Sequence, residues 1–155
     1  MLPAVGKGMP DRFRLISAVH VFLLREGEIF LLRRANTGWG DGLFSVPAGH
    51  LDGNEQVIAA AVREVAEEAG VNLAPEDVRV VGVIHRKSNT ERIDFFLAAE
   101  HWQGEPHNAE PSRCSETGWF SLIDLPSDTV PYVRRGTENF RAGRWFDSYG
   151  WQGEP

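Results

Sequence analysis

The 155-residue chain is predicted to fold as an α/β protein, an α/β/α sandwich with a mixed β-sheet between two helices. Three observations predict this. Runs rich in β-branched and aromatic residues recur along the chain, separated by turn-forming residues. The segment Gln56 to Ala69 loses those turn formers and carries Ala, Val and Glu at helical spacing. A second helical segment follows Ser127 and Asp128. The length suits one domain, read as residues 12–155 behind a loose arm over 1–11. A composition of 42% apolar, 25% charged and 10% aromatic residues excludes a disordered chain, a collagen-like one and a coiled coil.

The elements follow in order. Arg12 to Leu24 and Glu28 to Arg34 are read as a β-hairpin around the turn Glu26-Gly27. The Gly-rich stretch from Ala35 to Gly42 is a loop, and Leu43 to Val46 a short strand ending at Pro47. The helix Gln56 to Ala69 has Asn54 to cap its start and Gly70 to end it. Val78 to Lys87 and Arg92 to Ala99 are strands joined by a polar turn, and Gly118 to Leu122 is a further short strand. Ser127 or Asp128 caps a second helix running through Val133 to about Arg141, with Pro131 tolerated in its first turn. The aromatic tail Trp145 to Trp151 is expected to pack on the domain.

Sixteen Lys and Arg against 22 Asp and Glu give a formal charge of −6, which argues against a nucleic-acid duplex as partner. A small anionic substrate then needs a local cationic site or a bridging metal. The single cysteine, Cys114, is expected to be buried or inert and excludes a disulfide framework, so the chain reads as intracellular and cytoplasmic. No stretch is apolar enough for a membrane span, and no membrane partner is expected.

At about 100° per residue, Glu64, Glu67 and Glu68 share one helix face, with Ile58, Val62, Val65, Ala66 and Ala69 opposite. Like charges one turn apart repel unless something cationic sits among them. Ala60 and Ala61, a turn back on the acidic face, are expected to leave room for a ligand. Oxygen-only ligation points to Mg²⁺, with Mn²⁺ as the other choice.

Around these glutamates the sequence runs Gly49, five residues, Glu55, seven residues, then Arg63-Glu64-Val65-Ala66-Glu67-Glu68-Ala69-Gly70-Val71. This segment resembles the Nudix box, Gly-x5-Glu-x7-Arg-Glu-aliphatic-x-Glu-Glu-x-Gly-aliphatic, at every specified position. The resemblance implies a Nudix-type sandwich and metal-dependent hydrolysis of a pyrophosphate bond in a nucleotide. It implies that Glu67 and Glu68 ligate metal, that Glu64 is a ligand or the general base, and that Gly49 offers its backbone carbonyl. Arg63 and Glu55 are implied as a pair that orients the carboxylates. The chemistry needs such groups because charge must be neutralised on both the attacked and the leaving phosphate, and a carboxylate must take the proton of the attacking water.

Outside the box, Arg33 and Arg34 end a strand, where one of them could grip a phosphate. Glu116, three residues before Trp119, matches a carboxylate that many Nudix proteins place beside the metals. Trp39, Phe44 and Trp119, with Phe95 and Phe120, are candidates to stack on a nucleobase. His50 and His85 are assigned no role.

Two subfamily marks downstream of the box are missing. ADP-ribose hydrolases often carry a Pro about sixteen positions on, where this chain has Lys87, and no Tyr of the diadenosine polyphosphate type is nearby. The coenzyme A pattern is not evident either. The remaining resemblance is to the compact group that hydrolyses nucleoside or deoxynucleoside triphosphates, oxidised ones included. The alternatives are an ADP-ribose or nucleotide-sugar pyrophosphatase and, more remotely, a non-catalytic nucleotide sensor. A homodimer is compatible with the sequence.

Overall fold

The computed structural model describes residues 11–152, so the expected N-terminal arm lies outside the described residues except for Asp11. Strands β1 (Ile16–Arg25) and β2 (Glu28–Arg34) form the expected hairpin. Its two-residue turn has both central residues at positive φ, Glu26 at 52° and Gly27 at 78°, as a tight hairpin turn requires. Only the closed end is paired, Leu24 with Ile29 and Arg25 with Glu28. Beyond it the strands part company.

From there β1 runs parallel to β6 (Glu91–Ala99) and antiparallel to β4 (Ala48–His50). β2 instead pairs with β3 (Phe44–Ser45) and β7 (Cys114–Ser121). β5 (Val78–Lys87) completes the sheet between β6, which it meets antiparallel, and β8 (Phe146–Tyr149), which it meets parallel. The sheet is therefore mixed, as expected.

Alternation along the strands sorts the core into two layers. Val19, Val21, Leu23 and Leu97 face helix α1 (Val57–Ala69) with its Ala60, Ala61, Val65 and Ala69. Phe22, Leu24, Ile84 and Phe96 face the other way, against Val130 and Val133 at the start of α2 (Pro131–Ala142). The sandwich is thus built from one buried layer on each side of the sheet.

Several local expectations need correction. β1 starts at Ile16, not Arg12, and β7 begins at Cys114 rather than Gly118. Asn54 does not cap α1, because it sits at φ 56° in the loop and Gln56 takes the N-cap position without a side-chain bond. Gly70 does end the helix, in the left-handed conformation. Neither Ser127 nor Asp128 caps α2; Val130 precedes it, Pro131 opens it, and the Asp128 carboxylate is taken by Arg33. The tail packs only in part. Trp151 donates from its indole N–H to the His85 carbonyl at 2.9 Å, while Trp145 and Phe146 stay exposed.

Gly136 marks the tightest contact between α2 and the sheet, since a methyl group there would overlap the ring of Phe96. Gly136→Ala is expected to cost about 1–3 kcal/mol through overpacking. Urea unfolding should show a lower midpoint with an unchanged slope.

Candidate active site

The acidic face of α1 is not the open face. Ala60 and Ala61 are fully buried, Glu64 is only 9% exposed, and Ala66, expected to pack, is exposed. The two alanines leave no room for a ligand; their small side chains let the helix approach β4 and β1 closely. Glu64 and Glu68 consequently lie at the helix–sheet seam, while Ile58 and Val62 only flank the core. Aliphatic bulk was the misleading signal here, because in a tight helix–sheet contact alanine makes the better filler.

Arg63 organises this seam. Its guanidinium grips Glu55 with two bonds, Nε to Oε2 at 2.8 Å and Nη2 to Oε1 at 3.0 Å, and reaches Glu64 Oε1 at 2.7 Å. It also meets Asp52 at 3.2 Å, Glu67 at 3.5 Å and the His50 carbonyl at 3.3 Å. The bond from Arg63 lowers the Glu55 carboxyl below its ordinary range. On the strand side, Gly49 has no alternative, because a Cβ there would occupy the space of the Glu64 carboxylate.

Burial raises the Glu64 carboxyl against the pull of Arg63. Burial likewise pushes Glu68 up to about 9, against the Ala48 N–H that donates to Oε2 at 2.9 Å and helped by the neighbouring Glu64 and Glu110. Burial thus disfavours full charge on both carboxyls at once. An all-oxygen acid pair of this kind is where a divalent cation can replace a proton. Glu67, half exposed at 51%, is turned onto Arg63. Among the described residues no three acidic, His or Cys side chains are grouped to hold an ion as they stand. The residues fit a metal as donors, not as a closed cage.

The residues outside the box divide. Arg33 is engaged by Glu116 at 3.1 Å, Asp128 at 2.9 Å and the Gly42 carbonyl at 2.6 Å, and it covers Phe44 at 4.1 Å. Phe44 is 3% exposed, which removes it as a stacking surface. Glu116 faces Arg33 across β2 and β7, on the α2 side, and is not brought to the helix carboxylates. The loop acid that bears on Glu68 is Glu110, which sequence reasoning missed. Arg34 holds the Gly-rich loop by donating to the Trp39 carbonyl at 2.9 Å and to Thr37 Oγ1 at 3.0 Å. Trp39 is 51% exposed above Tyr132. Trp119 is engaged by Arg25, 4.1 Å above its ring, and by Phe30 and Trp102.

A second polar cluster was also missed. On the α2 face, fully buried Asp94 accepts from His20 Nε2 at 3.0 Å and from Arg86 Nε at 2.6 Å, and the Arg86 guanidinium lies 3.8 Å over Tyr132. Burial alone would raise Asp94, but the bonds from His20 and Arg86 hold it down at about 2. Strand alternation carried the signal, since His20 and Asp94 fall at inward positions beside Phe22 and Phe96.

Buried carboxyls clamped by an arginine at the seam of an α/β sandwich place an acidic, oxygen-rich site between helix and strand. The NUDIX domain model matches residues 14–140, and the chain belongs to that family, the Nudix pyrophosphohydrolases, which act on small nucleotide substrates and generally use divalent metals. A protein of Escherichia coli (strain K12) described as 8-oxo-dGTP diphosphatase is 29% identical over 119 residues, 76% of this chain and 88% of that one. Phosphatase NudJ of the same strain is 25% identical over 108 residues, covering 68% and 71%. The crystal structure of a MutT NUDIX hydrolase from Burkholderia pseudomallei superposes with a TM-score of 0.74 at 27% identity, over 81% of this chain and 98% of that one. No helix among the described residues is long and apolar enough to cross a membrane.

Gly49→Ala should push the Glu64 carboxylate out of the seam, so turnover should fall sharply while the circular dichroism spectrum stays native. Asp94→Asn should cost about 3–5 kcal/mol at neutral pH by leaving Arg86 uncompensated. Because the folded Asp94 value is depressed, its stabilisation is complete above the ordinary 3.8 and is lost as pH falls through about 2. Urea titrations of both proteins from pH 6 to 2 should therefore show the gap narrowing toward acid.

Proposed function

We propose that this chain, a single Nudix unit over residues 12–155, hydrolyses a nucleoside or deoxynucleoside triphosphate, oxidised forms included, to the monophosphate and pyrophosphate. The observation that carries the reading is the buried Glu64 carboxylate, pressed against Gly49 and clamped by Arg63, with Glu68 one turn on held by the Ala48 N–H. The similarity to the 8-oxo-dGTP diphosphatase supports the substrate class.

In this reading Glu67, Glu68 and the Gly49 carbonyl would hold Mg²⁺, or Mn²⁺, with Glu64 a further ligand where it is not the base; the ion would supply charge neutralisation for the phosphates and make the attacking water more acidic. As the base, Glu64 takes the water's proton, its carboxylate oriented by Arg63 Nη1 at 2.7 Å. Arg63 and Glu55 act as positioning residues, their paired bonds setting the orientation of the loop from His50 to Glu55 against α1. Arg34 presents Trp39 as the exposed aromatic for the base, and Arg33 with Glu116 braces the loop behind it.

The test is incubation with nucleoside triphosphates, oxidised dGTP, ADP-ribose, nucleotide sugars and dinucleoside polyphosphates, with and without Mg²⁺, followed by chromatography of products. Pyrophosphate plus a monophosphate, formed only with metal and lost in Glu67→Gln, is the expected result. AMP plus a sugar phosphate would replace it with the nucleotide-sugar reading, and metal-independent binding without turnover would replace it with a sensor. Arg63→Lys, which keeps the charge but not the fork, should lower activity about 10–100-fold, and Glu68→Gln should lower it further.

A further inference from the structure

The cluster on the α2 face holds hydrogen-bonding capacity that the protein does not use. Asp94 occupies Nε and Nη2 of Arg86, leaving Nη1 without an acceptor among the described residues. The Tyr132 hydroxyl has no hydrogen-bond partner among them either. His20 donates through Nε2 to the ionised Asp94, and its buried Nδ1 has no partner. The guanidinium is thus fixed by a buried carboxylate and flanked by an aromatic ring, with one nitrogen left over to donate.

Its position is also informative. Trp39, half exposed, lies 5.9 Å from Tyr132, which lies 3.8 Å from the guanidinium carbon of the largely buried Arg86, so the indole and the donor edge are linked through one ring. In the β1–β4 register His20 pairs with Ala48, whose N–H on the same strand donates to Glu68. β4 pairs with β1 alone among the described strands, so it forms a rim with the carboxyl pair on one side and the Arg86 cluster on the other. A nucleotide crossing that rim places its phosphates and its base on opposite faces.

We propose that Arg86, positioned by Asp94 and His20, is a specificity-determining residue that reads the base edge. Its unused N–H groups donate and cannot accept, so it selects 6-oxopurines, guanine and hypoxanthine, whose O6 and N7 are both acceptors. It disfavours adenine, whose matching edge presents an amino donor, while the base stacks on Trp39. This inference rests on the nucleotide reading above and narrows it.

The experiment is a metal-free titration of the protein with GMP, IMP and AMP by tryptophan fluorescence and calorimetry, paired with kcat/KM for GTP and ATP in Mg²⁺. The wild type should bind GMP and IMP roughly tenfold or more tightly than AMP and show the same order in kcat/KM. Arg86→Lys keeps a charge for Asp94 but loses the planar fork, so it should remain folded and lose most of that preference, chiefly through KM. Arg86→Met combined with Asp94→Asn removes the buried charge pair together and should abolish the preference. Equal affinity for GMP and AMP in the wild type, or a preference that survives in both variants, overturns the proposal. A protein that separates GMP from AMP yet hydrolyses no triphosphate would overturn the functional reading and leave this one standing. Equal hydrolysis of GTP and ATP would do the reverse.

Discussion

The seam between α1 and β4 depends on one guanidinium. Arg63 is surrounded by Asp52, Glu55, Glu64 and Glu67, and the bonds to Glu55 and Glu64 raise its pKa, so it remains charged. Remove that charge and Glu64 loses the partner that lowers its carboxyl against burial, beside a Glu68 already pushed up to about 9. The spacing of the Nudix box has a physical meaning here. Arg63 is adjacent to Glu64 and one turn from Glu67 on the helix, while Glu55 comes from the loop just before it, so one side chain ties loop and helix together.

A second constraint comes from the parting of β1 and β2. If the hairpin had zipped along its whole length, β4 could not pair with β1, and Gly49 would not reach Glu64. Because the strands diverge after Leu24 and Ile29, β1 is free to carry β4 on one edge and β6 on the other. Period-two alternation then sends Val19 toward the α1 core and His20 toward the Arg86 cluster. Two adjacent residues of one strand thus serve opposite faces of the same rim.

The sequence made the box legible because its chemistry is local, confined to residues 49–71, and because α1 is a strong helix with a glycine stop. The mixed sheet and the second helix could be read from strand composition and from Pro131 for similar reasons. What could not be read locally was partner choice. Arg33 and Arg34 looked free at a strand end, yet Asp128, 95 positions away, and Glu116, 83 away, close on Arg33. Glu116 could be proposed beside the acids only while the face it projects from was unknown; its pairing with Arg33 puts it on the α2 side, and Glu110 stands nearer to Glu68. The burial of Ala60 and Ala61 escaped for a different reason, since counting aliphatic bulk misjudges a face whose role is close approach.

The charge balance of the whole chain bears on how a polyphosphate can be held. A protein of formal charge −6 offers no general attraction for one, and its seam adds buried acid. At the seam Arg63 is engaged by carboxylates, and away from it Arg33 is engaged by Glu116 and Asp128 and Arg34 by the carbonyl of Trp39. On the proposed reading, counter-charge for the phosphates comes chiefly from a divalent cation of the kind Nudix enzymes generally use, held by these acids. On this argument, acids that repel a bare polyphosphate are the groups that make it bindable, and selectivity among bases has to be built elsewhere, on the face where Arg86 keeps a donor unspent.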